Sequence, residues 1–188
     1  MHYDPKVFKV QFLIAKKFVY HVFYYKGLLA AYQKHGLQDE FWTHTIDAHL
    51  LQAAILWCMI FGSEGCNPTH WKYLSKEQTD DLKRSFRDGL LQSTGMSQQQ
   101  WDLYWQDMTA FRSKFVAHRE LVFDKPVPHF DVALKVVYYY DQWIRNVIAP
   151  DVFDEPTLEE TSATLKEEIG PLIEQLYETT MKHYRNVD

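Results

Sequence analysis

Glycine and proline fall mostly at the ends of long periodic segments in this chain, and that spacing limits its fold more than any other feature. Seven of each occur in 188 residues, too few for the closely spaced turns of a sandwich or barrel. Asp4 followed by Pro5 reads as a helix start, and Gly36 as its end. Between them Val7, Phe8, Phe12, Ala15, Phe18, Val19, Val22, Phe23, Leu28 and Leu29 form a wide apolar stripe, interrupted by Lys6, Lys9, Lys16, Lys17 and Lys26. Asp39 or Glu40 opens a second helix that ends at Gly62, and its C-terminal half is apolar all round, which suits a bundle centre or a subunit interface. Residues 62–75 form a loop with room for a short helical turn. A capping box from Ser75 to Gln78 predicts a third helix over about 76–92, broken at Thr94 and Gly95. A second box, Ser97 to Gln100, opens a helix that carries Trp101 to Glu120. Pro126 and Pro128 impose a loop. A fifth helix is expected over about 131–147, with Val132, Leu134, Val136, Val137, Tyr140, Trp143, Ile144 and Ile148 on its buried side. A third box, Thr157 to Glu160, opens a terminal acidic helix over 157–185, which Gly170 and Pro171 should kink or split. No strand or internal repeat is legible. The predicted fold is all-α: an up-and-down bundle of five to six helices forming one domain over residues 1–188.

Hydrophobic residues make up 46% of the chain and aromatics 16%, which excludes a disordered polymer. Cys58 and Cys66 have neither metal-ligand spacing nor a disulfide framework and read as free thiols in a reducing compartment. The N-terminus lacks the layout of a signal peptide, and the longest apolar run, Ala53 to Phe61, is too short to span a bilayer. A soluble, cytoplasmic protein with no membrane partner is expected. The formal net charge of −5 argues against a general polyanion binder. The charge is unevenly spread: residues 1–36 hold six lysines against one aspartate, and residues 150–188 hold ten acids against three bases. Helix faces that attract each other in the fold explain this distribution. A sharper reading is a basic face for RNA with the acidic tail kept clear of it.

The chain has no phosphate-cradling glycine loop, no GxSxG elbow, no HExxH and no CxxC pair, so no cofactor or metal is expected. His44 and Asp47 have ligand spacing, but His49 is off their face, and all three read as capping or surface groups. The chemistry that remains is on the fourth helix. Numbered as heptads, Trp101, Tyr104, Met108, Phe111, Phe115 and His118 take the core positions, and Arg112 borders them. A histidine titrating near neutrality can move a proton, and an arginine can hold a phosphate through two parallel hydrogen bonds. Together they suit metal-free cleavage of RNA, in which the 2′-hydroxyl attacks the neighbouring phosphate. On a regular helix the two groups stand about 120° apart around the axis and about 9 Å apart along it. One helix therefore does not bring them together. Arg112 and His118 also have an ordinary reading, as an ion-pair partner and a hydrogen-bonded core residue.

The segment FRSKFVAHRE resembles the signature of the HEPN superfamily, an arginine followed four to six residues later by a histidine near the end of a long helix. Here the gap runs from Ser113 to Ala117. The ending, together with WCMIFGSEGCNPTHWKYL on the second helix and its loop, is similar to the abortive-infection U-type HEPN group. The resemblance implies a helical bundle that forms a two-fold homodimer, with Arg112 and His118 from both copies lining one metal-free ribonuclease cleft. It further implies a role in a defence or toxin–antitoxin system, with an antitoxin or other protein as partner. Ser113 stands where active members often carry Asn, Asp or His; its hydroxyl can hydrogen-bond but cannot carry charge. Lys114, Arg119, Lys83, Arg84 and Arg87 are candidates for guiding the RNA backbone. The alternative expectation is a non-catalytic module of the same fold that binds a nucleotide or a protein.

Overall fold

The computed structural model describes residues 2–36, 40–77, 79–118, 121, 124–149, 151 and 154–185. Its first helix, α1, runs Pro5–His35. Asp4 caps it by accepting from the Lys6 and Val7 amides, and Gly36 ends it in the left-handed conformation at φ 63°, where a Cβ would be strained. The second, α2, runs Glu40–Phe61; Asp39 lies outside the described residues. A 3-10 turn at Trp71–Tyr73 follows in the loop. Helix α3 spans Asp80–Thr94, α4 Gln98–Ala110, α5 Phe130–Ile148 and α6 Leu158–Arg185. Past Ala110, α4 continues as a π-helical segment over Phe111–Ala117. The fold is an all-α helical bundle, with no strand among the described residues.

Two of the three capping boxes form as expected. Ser97 and Gln100 bond reciprocally at the start of α4, and Thr157 and Glu160 do so before α6. The box at Ser75 does not start a helix. Leu74 accepts from the Asp4 amide and His2 from the Lys76 amide, at 2.9 and 3.0 Å, so this stretch pairs with the N-terminus as an isolated bridge. Ser75 instead holds a local turn through the Glu77 amide, Gln78 lies outside the described residues, and Thr79 caps α3. Helix α6 is not split at Pro171. Gly170, Pro171 and Glu167, whose carbonyl Pro171 leaves without a donor, are all exposed residues.

Contacts between helices fix their directions. Gln11 meets Tyr140 while Tyr25 meets Phe130, so α1 and α5 run antiparallel. Tyr138 bonds Ser162 and Asp141 bonds the Leu158 amide, which makes α5 and α6 antiparallel as well. Lys16 pairs with Glu155, and both Lys34 and His35 with Glu174. The basic first helix and the acidic C-terminal region are thus joined by ion pairs, as the charge asymmetry suggested. On α5, Val132 is only half-buried, while Ala133, Asp141 and Val147 join the buried side. By length and composition α2 is apolar enough to cross a membrane, and about half of its most apolar stretch is buried inside the fold.

One buried polar group anchors the loop after α2. Gln11 is fully buried; its amide donates to the Thr69 and His70 carbonyls at 3.2 and 2.8 Å and its oxygen accepts from the Tyr140 hydroxyl at 2.8 Å. These bonds fasten the loop to α1 and α5 at once, and none of the three amide groups is left to bury unpaired. The loop leaves α2 through Gly62. A Cβ there would lie 2.4 Å from the Cys58 carbonyl oxygen, a backbone atom that cannot give way. Gly62→Ala should therefore lower stability by about 1–3 kcal/mol, measured as a drop in the urea midpoint at unchanged slope.

Candidate functional site

Helices α2 and α4 are antiparallel, and their contact builds the candidate site. Trp105 donates its indole N–H to the Phe61 carbonyl at 2.7 Å. One turn on, the Cys58 thiol lies 3.9 Å from the Met108 carbonyl. Trp57 packs against both Trp101 and Tyr104. Trp101, Trp105, Met108 and Arg112 follow helical spacing and share this face. Arg112 reaches the Cys58 thiol. Burial pushes that thiol up to about 11, and the neighbouring guanidinium pulls the other way. Arg112 is half-buried, yet its Nε is enclosed and has no hydrogen-bond partner.

The backbone beneath Arg112 is not the regular helix expected through Glu120. From Phe111 to Ala117 it is π-helical, and the His118 amide bonds the Ser113 carbonyl, five residues back, at 3.1 Å. Two hydroxyls bond back onto the helix at this point. Thr109 donates to the Trp105 carbonyl and Ser113 to the Thr109 carbonyl, at 2.8 and 2.7 Å; such back-bonds to residue i−4 bend and weaken the ladder. Ser113 therefore directs its proton into its own helix rather than toward a ligand. Single-turn π segments inside α-helices occur often at functional sites.

His118 ends the segment at φ −120° and ψ 0°. The heptad register expected it in the core. It is exposed, because the π turn shifts the register and the chain leaves the helix at this residue. Its ring makes no hydrogen bond to a described residue, and none joins it to Arg112. Of the heptad core residues, Tyr104, Met108 and Phe111 are buried in the chain's own core. Beyond His118 the chain doubles back along α4: Lys125 pairs with Asp107 at 2.9 Å and the Tyr104 hydroxyl donates to the His129 carbonyl at 3.0 Å.

The basic residues divide into two places. Lys114 is exposed on the π segment beside Arg112; Arg119 lies outside the described residues. On α3, Lys83 and Arg84 approach Asp80 and Asp81 at 3.8 and 3.9 Å, whereas Arg87 faces a cavity toward the other end of α4. Arg87 and the Arg112–His118 segment are therefore not in one cluster. His44 and Asp47 are exposed, and His49 instead meets His21 on α1, their Nδ1 atoms 2.9 Å apart.

Sequence patterns missed His70. It is buried, its Nδ1 caps the 3-10 turn by accepting from the Lys72 amide at 3.4 Å, and its carbonyl binds Gln11. Burial pushes its imidazole down to about 4, Lys72 adds to that, and Glu64 and the Gly62 carbonyl oppose it. The folded protein thus resists a proton that the unfolded chain accepts below about 6.5. The contribution of His70 to stability should be complete above pH 6.5 and be lost as pH drops toward 4. In His70→Asn, which keeps a capping acceptor, urea midpoints should start lower at pH 7.5 and decline less steeply. The remaining slope would come from His21 and His49, whose burial also holds them below the usual imidazole range, and near pH 4 from carboxylates that hydrogen bonds hold low, such as Glu64 and Glu174.

No protein-family model matches the chain, and comparison with curated proteins and with solved structures likewise yields no match.

Proposed function

We propose that the chain is a metal-independent endoribonuclease of HEPN type, acting as a homodimer in a defence or toxin system. The observation that carries this reading is the division of labour on the π segment. Arg112 is held half-buried against α2, while His118 stands exposed at the segment's end with its ring nitrogens unengaged by described residues. An anchored cation and an imidazole that no described residue engages are what phosphoryl chemistry without a metal requires.

In the proposed reaction the ribose 2′-oxygen attacks the adjacent phosphorus and His118 accepts its proton. Arg112 binds the non-bridging oxygens as charge builds on them. The 5′-oxygen leaves with a proton donated by a histidine, and a second copy of His118 across a two-fold axis fits that task. The products are a 2′,3′-cyclic phosphate and a free 5′-hydroxyl. DNA lacks the attacking group and stays intact.

The test is incubation of purified protein with total RNA in EDTA, with DNA alongside. Cleaved RNA bearing cyclic phosphate ends is expected. Intact RNA from a folded dimer freed of any bound partner removes the reading and leaves a non-catalytic binding module. One observation favours that second reading: Ser113 turns its hydroxyl proton into its own helix.

A further inference from the structure

A cavity of about 610 Å³ lies between the loop after α2, the 3-10 turn, α3 and the N-terminal half of α4. Its size is that of pockets that take small organic ligands. Two features of its lining are unusual together. The first is indole surface. Trp101 and Trp105 stand one turn apart on α4, both half-buried, and the bond from Trp105 to the Phe61 carbonyl fixes that ring. Trp71, stacked on Phe86 with centroids 3.8 Å apart and planes 21° apart, adds a further rigid aromatic surface. The second is the state of the charges. Lys72 is engaged by Glu64, and Gln98 donates to one oxygen of Asp102 at 2.7 Å. Arg87 is exposed and makes no ion pair or hydrogen bond with any described residue.

A ligand matched to this lining has a flat π-face for the indoles and an anionic group for Arg87. Its ring edge can carry N–H donors, which the second Asp102 oxygen can accept. A fatty acid offers no flat face, and a simple sugar offers no anion. A nucleotide offers all three, since every base stacks on aromatic side chains.

We infer that this cavity is a nucleotide pocket that stacks one RNA base on Trp101 and Trp105 and pairs its phosphate with Arg87. The choice of RNA over a free nucleotide rests on the proposed ribonuclease reading; the chemistry of the pocket does not. Trp105 precedes Arg112 by seven residues on the same face of α4, about 10 Å along the axis. A strand seated here would extend along α4 toward the π segment. The pocket thus serves substrate positioning at a place separate from Arg112 and His118.

The experiment measures binding by anisotropy with a labelled 2′-O-methyl oligoribonucleotide, which cannot be cleaved by 2′-hydroxyl attack. Wild type should bind it. Trp101→Leu should weaken binding about tenfold with an unchanged salt slope, and Trp101→Phe should restore most of the loss. Arg87→Ala should weaken binding about fivefold and reduce the slope of log affinity against log salt by about 0.7. Nucleoside 5′-monophosphates, added as competitors, should displace the oligomer only weakly. Wild-type affinity in both the Leu and Ala variants overturns the inference, as does an oligomer that fails to bind. Binding of the monophosphates without the oligomer overturns RNA as the source. Cleavage of ordinary RNA that persists while binding ignores Trp101 removes the pocket and leaves the ribonuclease. Trp101-dependent binding without any cleavage does the reverse.

Discussion

His118→Ala should lower RNA cleavage by roughly two to four orders of magnitude, the usual contribution of a positioned proton carrier. It should shift the thermal midpoint by no more than about 1–2 °C. The two expectations come from one fact: the His118 side chain is exposed and makes no hydrogen bond with the described part of the fold. Few residues offer so clean a separation of chemistry from stability. Arg112→Ala should behave differently. Cleavage should fall about 10²–10³-fold through loss of charge stabilisation, and stability should fall too, because a half-buried arginine packs along its stem. The Cys58 thiol, which burial raises to about 11, would then lose the cation that pulls against that rise. Arg112→Lys keeps the charge and loses the fork, so its cleavage should stay well below wild type. Cleavage kinetics and melting curves on the three variants decide the matter. A His118→Ala protein that cuts RNA at the wild-type rate would sink the proposed mechanism.

Asp141→Ala should destabilise the bundle by about 3–5 kcal/mol. Asp141 is 1% exposed. It accepts from the Leu158 amide at 3.0 Å, the first turn of α6, and from Arg145 Nε at 3.2 and 3.3 Å. Arg145 in turn donates to the Glu155 and Pro156 carbonyls. Alanine would leave the buried Leu158 amide without an acceptor and take an ion-pair partner from Arg145, while its bonds to the two carbonyls remain. Burial raises the Asp141 carboxyl above the usual range, against the pull of Leu158 and Arg145. The folded state therefore binds its proton more tightly than the unfolded chain, and the contribution of this group fades as pH rises through its raised pKa. Asp141→Asn keeps an acceptor for Leu158 and loses less. Its deficit against wild type should be larger at pH 4 than at pH 7. Urea unfolding at both pH values measures this.

Local chemistry was legible in the sequence and distant chemistry was not. The caps at Asp4, Ser97 and Thr157 depend on residues within a turn, and all three were readable. Ser75 carries the same motif, but its neighbours are taken by residues 2–4 from the far end of the chain. The spacing of Asp141 and Arg145 suggests an ion pair on one helix; nothing in it shows that the carboxylate also caps α6. Arg112 and His118 could be found by motif, and their surroundings could not. The Cys58 contact joins residues 54 positions apart, and the exposure of His118 follows from a change of helix type that periodicity does not encode. His70 gave no pattern at all. Its capping role belongs to a loop whose position is set by Gln11, a polar residue hidden in an apolar stripe.

The π segment ties residue count to geometry. Such a turn carries one residue more than a regular helix of the same hydrogen-bonded span. Deleting one residue between Arg112 and His118 would let the strand of carbonyls from Thr109 onward close into ordinary i−4 bonds. The helix would then keep its span without breaking, and what lies beyond it would hold its direction, whereas the same deletion in a regular helix would turn it by about 100°. The gap between the arginine and the histidine is therefore a length with slack in it: the π turn absorbs the loss of one residue there while the imidazole-bearing end and the anchored arginine keep their places.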